Sequence, residues 1–460
     1  MLTYHIPEHL DIPLYQFLYQ NIKTDIENNI LKAHDKLPSK RSLSKHLKIS
    51  VMTVENAYNQ LLLEGYIYAK ERQGYYVDEI EFHHYKHNIT HPIIQDISQT
   101  YTIDLKTNTV SAHYFPFTSW SKLSRKVLSE YSDALLIKSH PQGSLELREA
   151  ICEHLYAYSH IKIHPEQIVI GCGSEYLYGL VVQLLGHNHL YALEDPGYKT
   201  ISKIYDVHSI QYEYIPMDKD GLSIDSLYHS SCDILHISCA HHFPTGITTS
   251  IKKRMELIKW VNEKNGYIIE DDYDSEFRLQ GHPLSSLFQL DQGRHVIYMN
   301  TFSKTLSPSF RMSYIVLPYP LVSLYKEKLG FYSCPVSHLE QLTLAKFINH
   351  GYFEKHINRM RHYYKTLRNE LLKEIYSLPI DIKIKEENAG LHFLLTYHSS
   401  KSDKEVLDIA RSYSLNISCL SSYYENYFDS HTFVVNYSGL CIDDIKEAVN
   451  LLYKVLTKIS

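Results

Sequence analysis

The chain has 460 residues, 46 Lys+Arg against 52 Asp+Glu, a formal net charge of −6 and 44% hydrophobic residues. That length predicts about three domains around a sizeable core, the mild acidity excludes a chain that coats nucleic acid while leaving room for one local basic module, and no stretch approaches the ~20 apolar residues that span a bilayer. The seven cysteines include no Cys-x-x-Cys pair and predict reduced thiols in a cytoplasmic protein, and the first ten residues lack the basic-then-apolar pattern of a signal peptide.

Residues 1–78 predict a helix-turn-helix with a wing. Pro13 suits the start of a helix, where its missing N–H is not needed. Leu14, Phe17, Leu18, Ile22, Ile26 and Ile30 then recur at helical spacing. Lys36-Leu37-Pro38-Ser39 interrupts the pattern, and Ser39 can cap a short helix holding Leu43 and Leu47. After the turn at Ile49-Ser50, Ser50 can cap a second helix whose apolar face is Val54, Ala57, Tyr58, Leu61 and Leu62, stopped by Gly65. Runs 66–69 and 75–77 around a Gly-containing turn predict a β-hairpin. The other face of the second helix would display Met52, Thr53, Glu55, Asn56 and Asn59, residue types that can reach base edges. Lys36, Lys40, Arg41, Lys45 and Lys48 form a run without an acid, and Arg72 would sit at the wing tip. They suit phosphates; such a run also fits a merely solvated helix face.

The segments Leu37-Pro38-Ser39-Lys40-Arg41-Ser42-Leu43, Ile49-Ser50-x-x-Thr53-Val54, Ala57-Tyr58-x-x-Leu61, Glu64-Gly65-Tyr66-Ile67 and Gly74-Tyr75-Tyr76-Val77 resemble the winged helix-turn-helix of the GntR family. The resemblance implies double-stranded operator DNA as a partner, with Lys40, Arg41, Ser50, Thr53, Asn56, Arg72 and Gly74 as DNA-binding residues. Where that family often has a basic residue directly after the turn serine, this chain has Val51.

Residues 79–100 are polar, without a clear period, and predict a flexible linker. His83, His84, His87 and His91 could bind a metal by spacing, but no cysteine or acidic pair joins them. A solvated tether is the better reading, and no metal site is expected.

From 101 to 460 strand-like runs (167–170, 190–193, 234–237, 267–269, 296–298) alternate with helical ones (177–185, 255–261). This predicts an α/β body with a mostly parallel sheet wrapped by helices, whose ligands sit beyond the strands' carboxyl ends. Four motifs fall there. Gly171-Cys172-Gly173-Ser174-Glu175 opens a helix and suits a phosphate, though a Gly-x-Gly turn alone says little. Tyr198 in Glu194-Asp195-Pro196-Gly197-Tyr198 could stack on a flat heterocycle or simply pack in a Pro-Gly turn. Glu270-Asp271-Asp272-Tyr273-Asp274 offers a carboxylate to a pyridine nitrogen, or a solvated acidic loop. Residues 300–311 hold Lys304 between Thr301, Ser303 and Arg311: a desolvated amine beside phosphate-binding groups, or a surface lysine in a Ser-rich turn. Residues 352–372 read as a basic helix with a solvated charged face, leading to a smaller C-terminal α+β domain (about 351–460) with strands near 389–393 and 433–437.

In this order the motifs resemble class I aminotransferases of pyridoxal phosphate fold type I. His241-His242-Phe243-Pro244-Thr245-Gly246, Glu270-Asp271-Asp272-Tyr273-Asp274-Ser275-Glu276-Phe277 and Thr301-Phe302-Ser303-Lys304-Thr305-Leu306-Ser307-Pro308 look closer still to the MocR/GabR group, GntR-type regulators with an aminotransferase-like body. The resemblance implies a pyridoxal 5'-phosphate-dependent transcriptional regulator, a homodimer that senses a small-molecule effector and has no membrane partner; the alternative is a metabolic aminotransferase with an accessory head. Carried over by position, Lys304 would form the Schiff base and Asp271 would pair with the pyridine nitrogen. Tyr273 would lie near the phenolic oxygen and Tyr198 on the ring. Gly173, Ser174, Ser303 and Arg311 would hold the phosphate. The arginines that grip a substrate carboxylate in that group are missing: Thr200 stands at one position, and 418–424 and 433–440 contain none. The effector is therefore expected to be other than a simple amino acid, or to be the cofactor itself.

Overall fold

The computed structural model describes residues 2–7, 10, 12–80, 100–107, 114–279, 284–388 and 390–459. The chain divides into two compact units, Met1–Ile97 and Ser98–Ser460. No helix among the described residues is long and apolar enough to cross a membrane.

In the first unit, α1 (Leu14–Glu27) buries Leu18, Ile22 and Ile26. Ile30, expected to continue that stripe, lies past the helix end and is 66% exposed, because the chain turns at Asn29 with φ 62°. Ser39 caps α2 (Lys40–Leu47) by accepting from the Ser42 N–H, and Ser50 caps α3 (Val51–Leu63) by accepting from the Thr53 N–H. Each cap satisfies a helix donor that would otherwise lack a partner. Val54, Ala57, Tyr58 and Leu61 of α3 close the core with Leu43, and the Tyr58 hydroxyl donates to the Pro38 carbonyl at 2.9 Å. β1 (Ile67–Lys70) pairs antiparallel with β2 (Gly74–Val77). The turn between them uses Arg72 at φ 57° and Gly74 at φ 112°. Most of the expected tether, including its four histidines, lies outside the described residues.

The second unit is built on an eight-stranded sheet. After β3 (Ile103–Asp104) come β4 (Ile168–Gly171), β5 (Leu190–Asp195), β6 (Gln211–Asp218), β7 (Gly221–Leu222), β8 (Ile234–Ile237), β9 (Tyr267–Asp271), β10 (Val296–Thr301) and β11 (Ser313–Val316). Their order is β4-β11-β10-β9-β8-β5-β6-β7. β10, β9, β8, β5 and β6 run parallel. β11 is antiparallel to both β10 and β4, so β4 points the same way as the parallel set. Helices cover both faces, and β4, β8, β10 and β11 are buried throughout, hence their unbroken apolar character. The carboxyl ends of β4, β5, β8, β9 and β10 therefore share one edge.

A 25-residue helix, Tyr352–Tyr376, leads into the C-terminal lobe. There β12 (Lys383–Lys385), β13 (His392–Thr396), β15 (Ser418–Cys419) and β16 (Thr432–Asn436) form an antiparallel sheet in the order β12-β13-β16-β15, while β14 (Leu415–Asn416) pairs with β3. Ile103 and Leu105 pack in the same core cluster as Phe393, Val435 and Leu452, so the lobe draws on chain that precedes the large sheet.

The basic run on helix Tyr352–Tyr376 is only partly the solvated face expected. Lys355, Arg359 and Lys365 are exposed. Arg361 donates to the Glu276 carbonyl at 2.8 Å. Arg368 is buried and donates to the Glu387 carbonyl and to Asn388 Oδ1, acceptors that lie within reach of its fork at the helix–loop junction. Arg368→Ala should cost about 2–3 kcal/mol, whereas Lys365→Ala should change stability by less than ~0.5 kcal/mol; urea unfolding curves of unchanged slope measure both.

Candidate functional site

A cavity of about 780 Å³ opens at the shared carboxyl edge and is lined by Ser174, Tyr198, Asp271, Tyr273, Ser303, Lys304 and Arg311. Gly173 stands immediately behind it: a Cβ there would lie 2.7 Å from Arg311 Nη2. The structure thus brings together every body residue singled out from the sequence.

β10 delivers Lys304 through the short helix Phe302–Thr305. Thr301 Oγ1 accepts from the Ser303 N–H at 3.1 Å and from Ser313 Oγ at 2.8 Å, fixing the turn that aims the lysine. Lys304 is half-buried. The surrounding protein strips water from its amine and lowers the pKa to about 7, while the Asp274 carboxylate acts in the opposite sense. A lysine near this pKa is largely neutral at pH values where surface lysines are charged.

Asp271 ends β9 and is buried. Its Oδ2 accepts from the Tyr178 hydroxyl at 2.5 Å; its Oδ1 has no hydrogen-bond partner among the described residues. Burial raises its carboxyl to about 6, and the Tyr178 bond opposes that rise. At the other end of the cavity the 12-residue helix Ser174–Leu185 presents its N-terminus, preceded by Gly173 at φ 111°, a favourable place for an anion. Arg311 lies beside it but is not fully available: Nη2 donates to Glu175 Oε2 at 2.6 Å. A guanidinium has five N–H donors, so this pair orients the fork rather than exhausting it. Tyr198 is 43% exposed and meets Phe243 edge-on at 6.0 Å. The Tyr273 hydroxyl donates to the His241 carbonyl at 2.8 Å.

Sequence reasoning missed several neighbours. Asp274 and His241 form a buried pair, Oδ1 to Nδ1 at 2.9 Å. Burial disfavours the imidazolium of His241, yet the Asp274 carboxylate holds its pKa above the ordinary value. Gly390, at φ 77°, is pressed so close that a Cβ would stand 2.5 Å from Asp274 Oδ2. The acidic run 270–274 was the available signal, but only the fold pairs Asp274 with a histidine. Arginine is absent from the positions searched, yet Arg411 lines the cavity together with Lys199 and Lys203. It comes from the helix Asp403–Ser412, just before the window considered, and pairs with Asp408 at 2.6 Å. The windows 418–424 and 433–440 contain no arginine, as read; Arg411 reaches the cavity from outside them.

In the head, Arg41 and Asn56 are exposed, and Arg72 and Gly74 form the wing turn. Ser50 Oγ and Thr53 Oγ1 lie 2.8 Å apart within the cap. Lys40 is engaged within the head: its Nζ lies 2.7 Å from Glu55 Oε1 on α3 and over the Tyr75 ring at 5.4 Å. The run 36–48 lacks an acid along the chain but not in space.

Residues 102–451 match the family described as aminotransferase class I and II, and residues 14–77 match bacterial regulatory proteins of the gntR family. The chain is 37% identical over 455 residues to the uncharacterized HTH-type transcriptional regulator YdeL of Bacillus subtilis, covering 98% of each chain. It is 26% identical over 461 residues to the probable rhizopine catabolism regulatory protein MocR of Rhizobium meliloti, covering 96% of this chain and 93% of that one. Over 416 residues it is 27% identical to the pyridoxine biosynthesis regulator PdxR of Corynebacterium glutamicum, covering 88% of each. Kynurenine aminotransferase from Pyrococcus horikoshii superposes with TM-score 0.69 at 22% identity, over 79% of this chain and 92% of that chain, and shares the fold. A winged head joined to a body of pyridoxal phosphate fold type I defines a class of transcriptional regulators. The chain belongs to that class: it is a MocR/GabR-type regulator of the GntR family with an aminotransferase class I and II body.

Reductive methylation with formaldehyde and borohydride, followed by peptide mass spectrometry, should label Lys304 at a rate that climbs through about pH 7, while exposed lysines respond only toward their ordinary ~10.4.

Proposed function

We propose that the body binds pyridoxal 5'-phosphate in this cavity and that the protein is a cytoplasmic homodimer regulating transcription from double-stranded operator DNA in response to a small-molecule effector. The observation that carries the reading is Asp271 Oδ1, a buried acceptor without a partner among the described residues, on the cavity that also takes the low-pKa amine of Lys304. A buried acceptor left unmatched is costly, and a protonated ring nitrogen satisfies it. When bound, the cofactor supplies an aldehyde that a neutral amine captures and a pyridine ring that withdraws electrons.

The chain's own groups fit that guest. Lys304 loses its proton near neutrality. Asp271, held by Tyr178, keeps a negative charge beside the ring nitrogen. Gly173 leaves the backbone bare next to the anion, with Ser174, Ser303 and Arg311 around it, and Tyr198 covers the ring. Tyr273, anchored on the His241 carbonyl, fixes the side of the cavity toward the phenolic oxygen. Arg411, Lys199 and Lys203 give the outer wall a positive character that suits an anionic group on the effector. An effector that binds one arrangement of the body better shifts the heads by no more than its differential affinity. Two heads in a dimer reach two half-sites, with Arg41, Ser50, Thr53, Asn56, Arg72 and Gly74 toward DNA.

Adding pyridoxal phosphate to the protein should produce visible absorbance and, after borohydride, a cofactor mass on the peptide containing Lys304; Lys304→Ala should lose both yet still bind DNA. Asp271→Asn should weaken cofactor affinity by roughly thirty-fold, read by equilibrium dialysis. A wild-type protein that takes no label would sink the cofactor reading. Gly173→Ala, by pushing the Arg311 fork away, should weaken phosphate-bearing pyridoxal far more than pyridoxal itself, measured in the same dialysis.

A further inference from the structure

We propose that α3 reads A·T base pairs, contacting thymine methyl groups through Val51 and Met52 and an adenine edge through Asn56. The inference rests on the head's DNA-reading role proposed above and adds which bases its recognition helix prefers. In helix-turn-helix proteins the first residues of the second helix reach base edges in the major groove. Here those residues are unusual. α3 reads Val-Met-Thr-Val-Glu-Asn-Ala-Tyr-Asn-Gln-Leu-Leu-Leu and contains neither lysine nor arginine. It lacks the side chains that most often read guanine, whose O6 and N7 take a bidentate cation.

What α3 offers instead is apolar and amide. Val51 is 42% and Met52 63% exposed, side by side in the first turn. Asn56 and Asn59 are exposed one and two turns further along the Met52 face. Single exposed apolar residues are ordinary. Two adjacent ones at the head of a recognition helix, on a head whose preceding helix and turn expose Arg41, Lys45 and Lys48, suit a polyanion whose apolar feature in the major groove is the thymine methyl. The asparagine amide matches adenine N6 and N7.

The residue that could read cytosine already has a partner in the head. Glu55 would accept from a cytosine amine, but Lys40 Nζ holds its Oε1 at 2.7 Å. Ser50 and Thr53 engage their hydroxyls with each other and with the Thr53 N–H. The exposed side chains of α3 before its last turn are Val51, Met52, Asn56 and Asn59, and each suits A·T.

The test selects duplexes from a random-sequence pool with the full-length protein and then replaces single thymines of the enriched site by uracil, which removes only the methyl. Selection should enrich A·T pairs, and uracil at the contacted positions should lower affinity roughly four-fold each. Met52→Ala, a surface change, should abolish that sensitivity at one or two positions, which maps them to α3, and Val51→Arg should move the neighbouring preference toward G·C. Enrichment of G·C at the positions mapped to α3, or no response to uracil anywhere in the site, overturns the inference while the DNA-binding role stands. Retention of no duplex even at low salt overturns both.

Discussion

Removing water from the amine of Lys304 is the constraint on which the body's chemistry turns. A protonated lysine is stable in water and costly inside protein. The turn after β10, locked by Thr301, Ser303 and Ser313, keeps the side chain where hydration is poor. Its relief is to shed the proton near neutrality, and a neutral amine is a nucleophile. The parallel sheet makes this possible: five strands end at one edge, so a lysine, a carboxylate and a helix N-terminus from distant parts of the chain meet around one cavity.

The same edge explains the concentration of charge at 270–276. Glu270, Asp271, Asp274 and Glu276 are all buried, and each has a different remedy. Glu270 accepts from the Leu287 and Phe288 N–H groups at 2.8 and 3.0 Å. Asp274 has His241. Glu276 takes a donor from Asn300 at 3.1 Å and its carboxyl is raised to about 8 by burial. Of these four, Asp271 is the one that lines the cavity, and its Oδ1 has no hydrogen-bond partner among the described residues.

Much of this was legible in the chain, and the limits have physical reasons. Caps at Ser39 and Ser50 and the apolar face of α3 are local, so periodicity and capping chemistry recover the head. The strand-end motifs are also local, each a strand followed by small or charged residues, and their order points to the body. β11 was not legible, because four buried residues after a loop carry no direction, and its antiparallel course depends on β4 and β10 flanking it. Arg411 escaped for a related reason: which helix face lines a cavity is decided by how the lobe docks. Lys40 and Arg368 show the same limit for charge. Lys40 read as a phosphate contact and Arg368 as part of a solvated face, and both have partners, Glu55 and the 387–388 loop, that only folding brings near.

Gly390 joins the lobes in a way that bears on reactivity. It belongs to the C-terminal lobe, yet it is in close contact with the carboxylate and imidazole of the Asp274–His241 couple. A side chain at 390 would need either to pull the lobe back, hydrating that couple, or to displace the carboxylate, whose field acts on the ammonium of Lys304. Either shift changes the surroundings of a carboxylate that stands near Lys304. The fit of the C-terminal lobe against this pair is thereby set to within the width of one methyl group.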